Sequence, residues 1–305
     1  MTNKLQERAI LMRLSAGLPG EHRKDSRTTE EIKADKSLGK DAGKWIKDLY
    51  PKHALEPCKK IVAAAREYHG TVTLPFDVGI GILPAALIAQ YQEKVGDFGY
   101  QLKLKAETFV SGGQDWVNWA RQEHNGTFDP DNYPGCYQDS AGGVSFVPDE
   151  WQKKIGSKFY LRAEPLPVPN AEHFTAGVTQ LLGVDAESVN IRVRDAGKEA
   201  QAELMRRLIA PVKAMADKLA EQPKGDNTGI IFRDSLVSNV QEIVDLAPAL
   251  NLADDPQIVG FVREITDGLL AVKAQTLRDD ANTRDNIARE AKRLCDKMSA
   301  YTPTW

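Results

Sequence analysis

The sequence predicts a mainly α-helical protein with a small β element, that is, an α+β fold. The strongest observation is an apolar repeat at three- to four-residue steps between 186 and 222, which is typical of an amphipathic helix. The repeat consists of Val189, Val193, Ala200, Leu204, Leu208, Val212, Met215 and Leu219. A composition of 42% hydrophobic and 27% charged residues over 305 positions supplies enough apolar material for a core. Extended segments around 71–76 and 143–169 add short strands to a body of long antiparallel amphipathic helices.

The N-terminal part of the chain alternates between apolar and polar segments. Residues 5–18 are apolar and predict a short strand or a short helix. Residues 19–35 are polar and predict a mobile arm, with a candidate capping box at Thr28 and Glu31. A helix is expected at 37–50, where Pro51 ends it.

The next elements follow from apolar spacing and proline positions. A second helix is expected at 54–69, followed by the extended segment at 71–76. Pro84 suits the first turn of a helix, where its missing N–H costs nothing, so a third helix is predicted from 84 to about 110. The turn-rich region at 126–170 contains two short strands, the second of which ends in a proline-spaced stretch.

The C-terminal half predicts helices throughout. Pro211 is expected to kink the long helix of 186–222, and the polar segment that begins at Gln222 ends it. Asp254 or Asp255 before Pro256 gives a cap followed by a proline, which is a typical helix start. Three shorter helices are expected at 233–247, 256–272 and 280–300. The chain thus divides into an N-terminal segment and mobile arm (1–36), an N-terminal helical region (37–125), a turn-rich connector with short strands (126–170) and a C-terminal helical bundle (171–305).

Composition also restricts the class of protein. The longest apolar run is far shorter than a membrane span, and no secretory apolar region is found near the N-terminus. The three cysteines lie far apart in an odd, sparse set, which favours a reducing compartment over a disulfide framework. We therefore expect a cytoplasmic protein without membrane contact. The cysteines are Cys58, Cys136 and Cys295.

Two segments resemble ligand-binding motifs but lack a required residue. Gly79-Ile-Gly81 follows an extended segment as a dinucleotide fingerprint would, yet Pro84 replaces the third glycine and removes an N–H donor that the phosphates need. The segment that begins at Asp129 resembles a calcium loop, but its fifth position is Tyr133 and its twelfth is Ser140. The sequence therefore predicts no cofactor and no calcium site.

Other catalytic signatures are not found in the sequence. The histidines and cysteines show no paired spacing of the kind that zinc sites use. There is no Gly-x-Ser-x-Gly elbow and no phosphate-binding Lys-Ser/Thr loop. These observations predict no catalytic residue and no metal, and they favour a non-enzymatic protein. An enzyme of unrecognised type stays open, because catalytic groups also assemble from distant positions.

The charge is unevenly distributed along the chain. The net charge is −3, but residues 1–70 carry 15 Lys and Arg against 10 Asp and Glu, or +5. Residues 226–305 carry 9 against 13, or −4. This asymmetry fits an anionic partner at the N-terminal end. The simpler explanation is a solvated surface with mild asymmetry, because a dedicated nucleic-acid-binding domain is usually much more basic.

Cations near an aromatic residue form the candidate nucleic-acid site. Proteins that follow a single strand use cations for phosphates and aromatic rings for stacking on bases. The predicted helix at 37–50 places three lysines on one face with a tryptophan beside them, and further cations follow in the next helix. The candidate binding residues are Lys40, Lys44, Lys47, Trp45, Lys59, Lys60 and Arg66. Another basic face is expected near the C-terminus, at Arg289, Arg293 and Lys297. The alternative is that Trp45, like Trp116 and Trp119, belongs to the core.

Four stretches together carry a resemblance to a known family. They are WIKDLYPKHALEPCKKIVAAAREYH, TLPFDVGIGILP, FVSGGQDWVNWARQEHNGTFDPDNYP and FRDSLVSNVQEIVDLAPALNLADDPQIVGFVREI. In that order the chain, from about residue 40 to its end, resembles an uncharacterised family of about this length from tailed bacteriophages and related mobile elements. The resemblance implies a phage origin, a bacterial host cytoplasm and a gene setting near replication and recombination. It implies no catalytic residue.

The sequence thus supports two hypotheses of function. The first is a non-enzymatic phage accessory protein that handles single-stranded DNA in replication or recombination and acts as an oligomer. The alternative is a structural, assembly or host-protein-binding protein, such as an inhibitor, without nucleic-acid binding. Amphipathic helices and an acidic C-terminal region suit a host or phage protein partner as well as they suit a homo-oligomer.

Overall fold

The computed structural model describes residues 2–170, 186–220 and 234–302 and confirms a mainly α fold with small antiparallel sheets. The helices of these residues are α1 (Thr2–Arg8), α2 (Ser26–Asp35), α3 (Glu56–Val72), α4 (Ile88–Ser111), α5 (Gly113–His124), α6 (Pro148–Gly156), α7 (Ala186–Ala220), α8 (Ser235–Leu250), α9 (Pro256–Gly268), α10 (Ala274–Asp279) and α11 (Ala281–Ser299). The strands are β1 (Ala9–Gly17), β2 (His22–Lys24), β3 (Ile46–Asp48), β4 (Leu74–Asp77), β5 (Ile80–Pro84), β6 (Cys136–Gln138), β7 (Val144–Phe146) and β8 (Tyr160–Leu166). Single turns of 3-10 helix lie at Ala85–Leu87, Asn125–Thr127 and Pro130–Asn132.

The chain forms two compact units that interleave in sequence. Unit 1 comprises Met1–Arg13, His69–Tyr91 and Pro165–Trp305, and unit 2 comprises Leu14–Tyr68 and Gln92–Glu164. Four successive regions were expected from the sequence, and in the structure β1, α3 and α4 each contribute residues to both units. The expected start of the C-terminal bundle at 171 and the helix end at Gln222 lie outside the described residues.

Unit 1 is organised around α7. The eight apolar residues of the predicted repeat, from Val189 to Leu219, are all buried, so the amphipathic prediction is confirmed. Helices α11 and α8 pack along α7, and strand β4 also contacts it. Pro211 lies inside α7. The helix nevertheless runs from 186 to 220 in one element, because burial of its apolar face stabilises it along its whole length.

The region after α3 differs from the sequence expectation. Helix α3 continues to Val72, so the strand expected at 71–76 begins at Leu74. The helix expected from Pro84 begins at Ile88, since residues 80–84 form strand β5 instead. Strand β5 pairs antiparallel with β1, from Ala9 opposite Pro84 to Arg13 opposite Ile80. This long-range pairing buries Ile82 and Leu83 completely and overrides the local preference for a helix start.

The N-terminal arm and the helix expected at 37–50 both require correction. Residues 5–18 contain the end of α1 and all of β1, and residues 19–35 contain β2 and α2 rather than a mobile arm. Residues 37–45 are not helical, and β3 follows them and pairs antiparallel with β2. The physical reason is backbone conformation, because Ser37 has φ 50° and Gly43 has φ 131°, and neither is compatible with a helix.

The core of unit 2 is aromatic. Tyr50 makes edge contacts with Phe109 at 5.0 Å and with Trp151 at 6.0 Å between ring centroids. Trp116 stacks on Phe109 at 5.7 Å, and its Nε1 donates a hydrogen bond to the Phe109 carbonyl. The strands expected within 143–169 are confirmed as β7 and β8, with α6 between them.

The C-terminal helices follow the expected order with one addition. Helices α8, α9 and α11 correspond to the three expected helices, and the short α10 lies between the last two. Asp255 caps α9, because its carboxylate accepts a hydrogen bond of 2.9 Å from the Gln257 N–H. The predicted cap followed by Pro256 is therefore confirmed at Asp255.

Candidate nucleic-acid interface

Asp25 connects α2 to the segment that carries Trp45. Its side chain accepts hydrogen bonds from the Thr28 N–H at 3.0 Å and the Thr28 hydroxyl at 2.8 Å, so Asp25 caps α2. The capping box expected at Thr28 and Glu31 is therefore wrong, and Glu31 instead pairs with Arg27, one helical turn earlier in α2. The Asp25 N–H donates to the Trp45 carbonyl at 3.0 Å, which fixes the Trp45 backbone next to α2.

Lys47 lies inside unit 2 and is only 7% exposed. Its ammonium lies 3.1 Å from the Asp25 carboxylate and donates a 2.7 Å hydrogen bond to the Thr127 carbonyl. Burial raises the pKa of Asp25, but the hydrogen bonds from Thr28 and Lys47 and the Lys47 charge outweigh it, so the pKa is lowered overall. The expectation that Lys47 shares an exposed face with Lys40 and Lys44 is wrong, because Lys47 is buried and its ammonium contacts Asp25 and Thr127.

Trp45 does not belong to the core. Trp45 as a residue is 52% exposed, and the apolar residues Leu38 and Ile46 are 45% and 60% exposed. Trp45 lines an open groove of about 200 Å³ together with Leu38, Lys33 and Lys44. The Lys33 ammonium donates a hydrogen bond to the carbonyl of Lys40, which places the Lys40 backbone beside α2. We call this surface the Trp45 patch and define it as Lys33, Leu38, Lys40, Lys44, Trp45 and Ile46.

Two of the three cations of the Trp45 patch are accessible to a ligand. Lys40 and Lys44 are exposed, and within residues 2–170, 186–220 and 234–302 neither forms an ion pair. Lys24, directly opposite Ile46 in the β2–β3 pair, adds another exposed cation beside the patch. The patch thus joins exposed cations to an aromatic ring, although it is not formed by a helical stripe.

The positive charge is local and does not extend over the unit. Unit 2 carries 20 Lys and Arg and 20 Asp and Glu, because acidic residues of 92–164 offset the basic first 70 residues. Lys59 forms an ion pair of 2.5 Å with Glu21. Lys60 and Arg66 are exposed on α3, and within the described residues no hydrogen bond or groove joins them to the Trp45 patch.

The basic face expected near the C-terminus is largely neutralised. Arg293 pairs with Glu290 at 2.6 Å and with Glu264 at 3.3 Å, and Lys297 also pairs with Glu264. The hydrogen bond from Lys297 lowers the pKa of Glu264, which keeps this carboxylate charged. This face offers less free positive charge to a phosphate than the Trp45 patch does.

The motif-like segments have structural roles. Gly79 forms the tip of the β4–β5 hairpin with φ 71°, and Gly81 lies within β5 against the Thr73 side chain. Asp129 caps the 3-10 turn Pro130–Asn132 by accepting from the Asp131 N–H at 3.1 Å. Where side chains are described, no group of three or more His, Cys, Asp or Glu residues is arranged to hold a metal ion.

The cysteines are buried and poorly suited to act as nucleophiles. Burial raises the pKa of each thiol, and it is the largest influence on all three, so little reactive thiolate forms near neutral pH. All three thiols are free: Cys58, Cys136 and Cys295.

The sequence pointed to Trp45, Lys40 and Lys44 but missed Lys33, Leu38 and Ile46. The sequence signal for these missed residues was weak, because their proximity depends on a loop that has no sequence periodicity.

Comparisons with known protein families, with curated proteins and with solved structures gave no match. Across the described ranges, no helix combines the length and apolar character that crossing a bilayer requires.

Proposed function

We propose that the protein binds single-stranded nucleic acid through the Trp45 patch, as a non-enzymatic phage accessory protein that acts on single-stranded DNA in replication or recombination. The observation that carries the proposal is the half-exposed Trp45 ring in a groove that Lys33 and Lys44 also line. Base–aromatic stacking contributes about 1–3 kcal/mol per base, and it tolerates any base because each has a π face. The proposed setting is the bacterial cytoplasm.

The size of the patch limits how it binds. A groove of about 200 Å³ accommodates roughly one base, and the exposed Lys40 and Lys44 reach about two phosphates. One patch therefore binds weakly, so we propose that several copies in an oligomer bind along one strand, where the effective concentration raises the affinity. Sedimentation of the protein with and without an oligonucleotide tests this part, and a monomer under both conditions would contradict it.

The binding itself is tested with a labelled oligothymidylate followed by fluorescence anisotropy. Binding is expected at low salt, and its affinity is expected to fall with a log–log slope of about −1.4 if two phosphates are contacted. Trp45→Ala is expected to weaken binding about tenfold or more, and Lys40→Ala with Lys44→Ala is expected to reduce the salt slope. Matched controls are Tyr100→Ala and Lys153→Ala, which remove an exposed aromatic ring and an exposed cation outside the patch. No binding at low salt would refute the proposal.

A protein partner is the second candidate, because the apolar exposure of the patch also suits protein docking. Leu38 and Trp45 line the same groove and are each about half exposed, and Ile46, which follows Trp45 in the chain, is 60% exposed. An assembly or host-protein-binding role predicts association that varies little with salt, survives Lys40→Ala with Lys44→Ala and is lost in Trp45→Ala. Salt-sensitive binding of an oligonucleotide that needs both lysines would instead favour nucleic acid.

A further inference from the structure

Unit 2 contains a second, larger cavity that the proposed function does not use. It has a volume of about 520 Å³, and residues of α4, α5, β7, α6 and β8 line it. Small-molecule sites in proteins typically occupy roughly 300–1,000 Å³ and are mostly apolar. Four aromatic side chains form part of its wall: Phe146, Trp151, Phe159 and Tyr160.

The aromatic wall is held in place by contacts behind it. Trp151 is buried, and its Nε1 donates a 2.9 Å hydrogen bond to the Val110 carbonyl. Phe146 packs against the same indole at 5.9 Å between ring centroids. Tyr160 lies so close to Gly17 that a side chain there would collide with its ring, and Arg162 lies 5.0 Å from the centre of that ring. The cavity is therefore formed before any ligand arrives.

Gly99 indicates that the space is not filled by the protein itself. It lies inside α4 and lines the cavity. Glycine destabilises a helix interior relative to alanine, so its presence there lowers the stability of α4. A Cβ atom at Gly99 would meet nothing within 4 Å, so close packing does not require the glycine. Its effect is to leave the cavity open.

The polar groups of the lining restrict the ligand. Lys103 and Glu107 lie one helical turn apart and carry opposite charges, so the lining has no net charge from these two residues. Gln114 and Gln152 also line the cavity, and an amide side chain can both donate and accept hydrogen bonds. The Gln114 Nε2 already donates one hydrogen bond, to Asn118 Oδ1 at 3.2 Å. We propose that this cavity binds the ring of a neutral, flat heteroaromatic compound, of which a nucleobase is the simplest example. This site is separate from the Trp45 patch and does not depend on the proposed function.

Adenosine and ribose are suitable probes, because adenosine carries the adenine base where ribose carries its anomeric hydroxyl. Calorimetric titration of the full chain is expected to show saturable binding of adenosine and none of ribose. Gly99→Leu fills the cavity and is expected to weaken adenosine binding at least about tenfold. Gly96→Leu is the matched control, because Gly96 also lies in α4 with open space around it but does not line the cavity. It is expected to leave the affinity within about twofold of the original.

The unfolding midpoint of each variant is measured beside its adenosine affinity, to check that the variant folds. Both leucine variants place a good helix former in α4, so both are expected to unfold at or above the midpoint of the original protein. If Gly99→Leu does not fold, Gly99→Ala fills less of the cavity and is expected to weaken adenosine binding by a smaller factor. Absence of saturable adenosine binding, or equal affinity in the Gly99 and Gly96 variants, overturns the proposal.

Two kinds of ligand carry a heteroaromatic ring, a nucleic-acid strand and a free small molecule. Competition experiments on the Trp45→Ala protein distinguish them. Adenosine binding is expected to persist in that variant, whatever happens to oligonucleotide binding at the Trp45 patch. A deoxyadenylate oligonucleotide that displaces adenosine there, when an abasic strand of the same length does not, identifies a base of a strand as the occupant. An oligonucleotide that leaves adenosine bound identifies a free small molecule. Loss of adenosine binding in Trp45→Ala would contradict a separate site.

Discussion

Replacing Lys47 with methionine tests whether this residue stabilises unit 2 or belongs to a binding surface. Lys47 and Asp25 are both buried, with 3.1 Å between the ammonium and the carboxylate. Methionine preserves most of the side-chain volume but removes the charge and the hydrogen bond to the Thr127 carbonyl. The Asp25 carboxylate then keeps only its hydrogen bonds from Thr28.

The magnitude follows from the cost of an uncompensated buried charge. Removing one partner of a buried ion pair typically costs about 3–5 kcal/mol. Since the Thr28 hydrogen bonds still stabilise the Asp25 carboxylate, we expect the lower end, a loss of about 3 kcal/mol from the free energy of unfolding. Lys44→Met at an exposed position is the matched control and is expected to change it by less than about 0.5 kcal/mol.

Urea unfolding followed by tryptophan fluorescence measures the effect, since four of the five tryptophans lie in unit 2. A double variant that adds Asp25→Asn to Lys47→Met is expected to be more stable than Lys47→Met alone. Asparagine still caps α2 but carries no charge that needs a partner. Equal unfolding midpoints for Lys47→Met and the original protein would refute the reasoning, as would a double variant less stable than Lys47→Met.

The same pair predicts a dependence on pH. The pKa of Asp25 is lower in the folded protein than its ordinary value of 3.8, so its stabilisation is complete above that value and is lost as the pH falls through the lowered pKa. In Lys47→Met the pKa of Asp25 is lowered less than in the original protein. The free energy of unfolding of this variant is therefore expected to decrease less steeply below about pH 4 than that of the original protein. Unfolding curves at several acidic pH values compare the two slopes, and parallel slopes would contradict this account.

Three further predictions concern other parts of the chain. Asp255→Ala removes the cap of α9 and the acceptor for the Gln201 amide and the Tyr301 hydroxyl. Thermal unfolding is therefore expected to show that the free energy of unfolding falls by about 3 kcal/mol. A decrease under about 1 kcal/mol would contradict this prediction. Gly113→Ala would bring a methyl group to 2.5 Å from the Trp151 ring and is expected to cost about 1–3 kcal/mol in urea unfolding, whereas Gly20→Ala, with open space around it, is expected to have little effect. The cysteines are expected to react with a thiol reagent only after denaturation, and a fast reaction in the native protein would show that the burial is wrong; they are Cys58, Cys136 and Cys295.

The sequence was most informative where the determining interactions are local. The repeat from Val189 to Leu219 predicts which face of α7 is buried, because helical periodicity depends only on spacing along the chain. The Asp255 cap and its following proline are likewise read from adjacent residues. The strands within 143–169 were recognisable from their β-branched and proline-spaced composition.

The candidate site was only partly predictable from the sequence. Trp45, Lys40 and Lys44 were identified because cations near an aromatic ring are recognisable in a sequence, although the helix assumed to present them does not form. Lys47 follows Lys40 and Lys44 at three- to four-residue spacing, so nothing in the local sequence distinguishes it from those exposed lysines. Its role depends on Thr127, which lies 80 positions further along the chain.

Sequence by itself determined the fold class, the buried face of the longest helix and three residues of the Trp45 patch, namely Lys40, Lys44 and Trp45. Tertiary structure alone decided that residues 80–84 form a strand, that Lys47 is buried and that the two units interleave. The physical reason is that strand pairing and charge burial depend on partners distant in sequence. The free energy gained from those partners exceeds the small local preferences that a sequence pattern reveals.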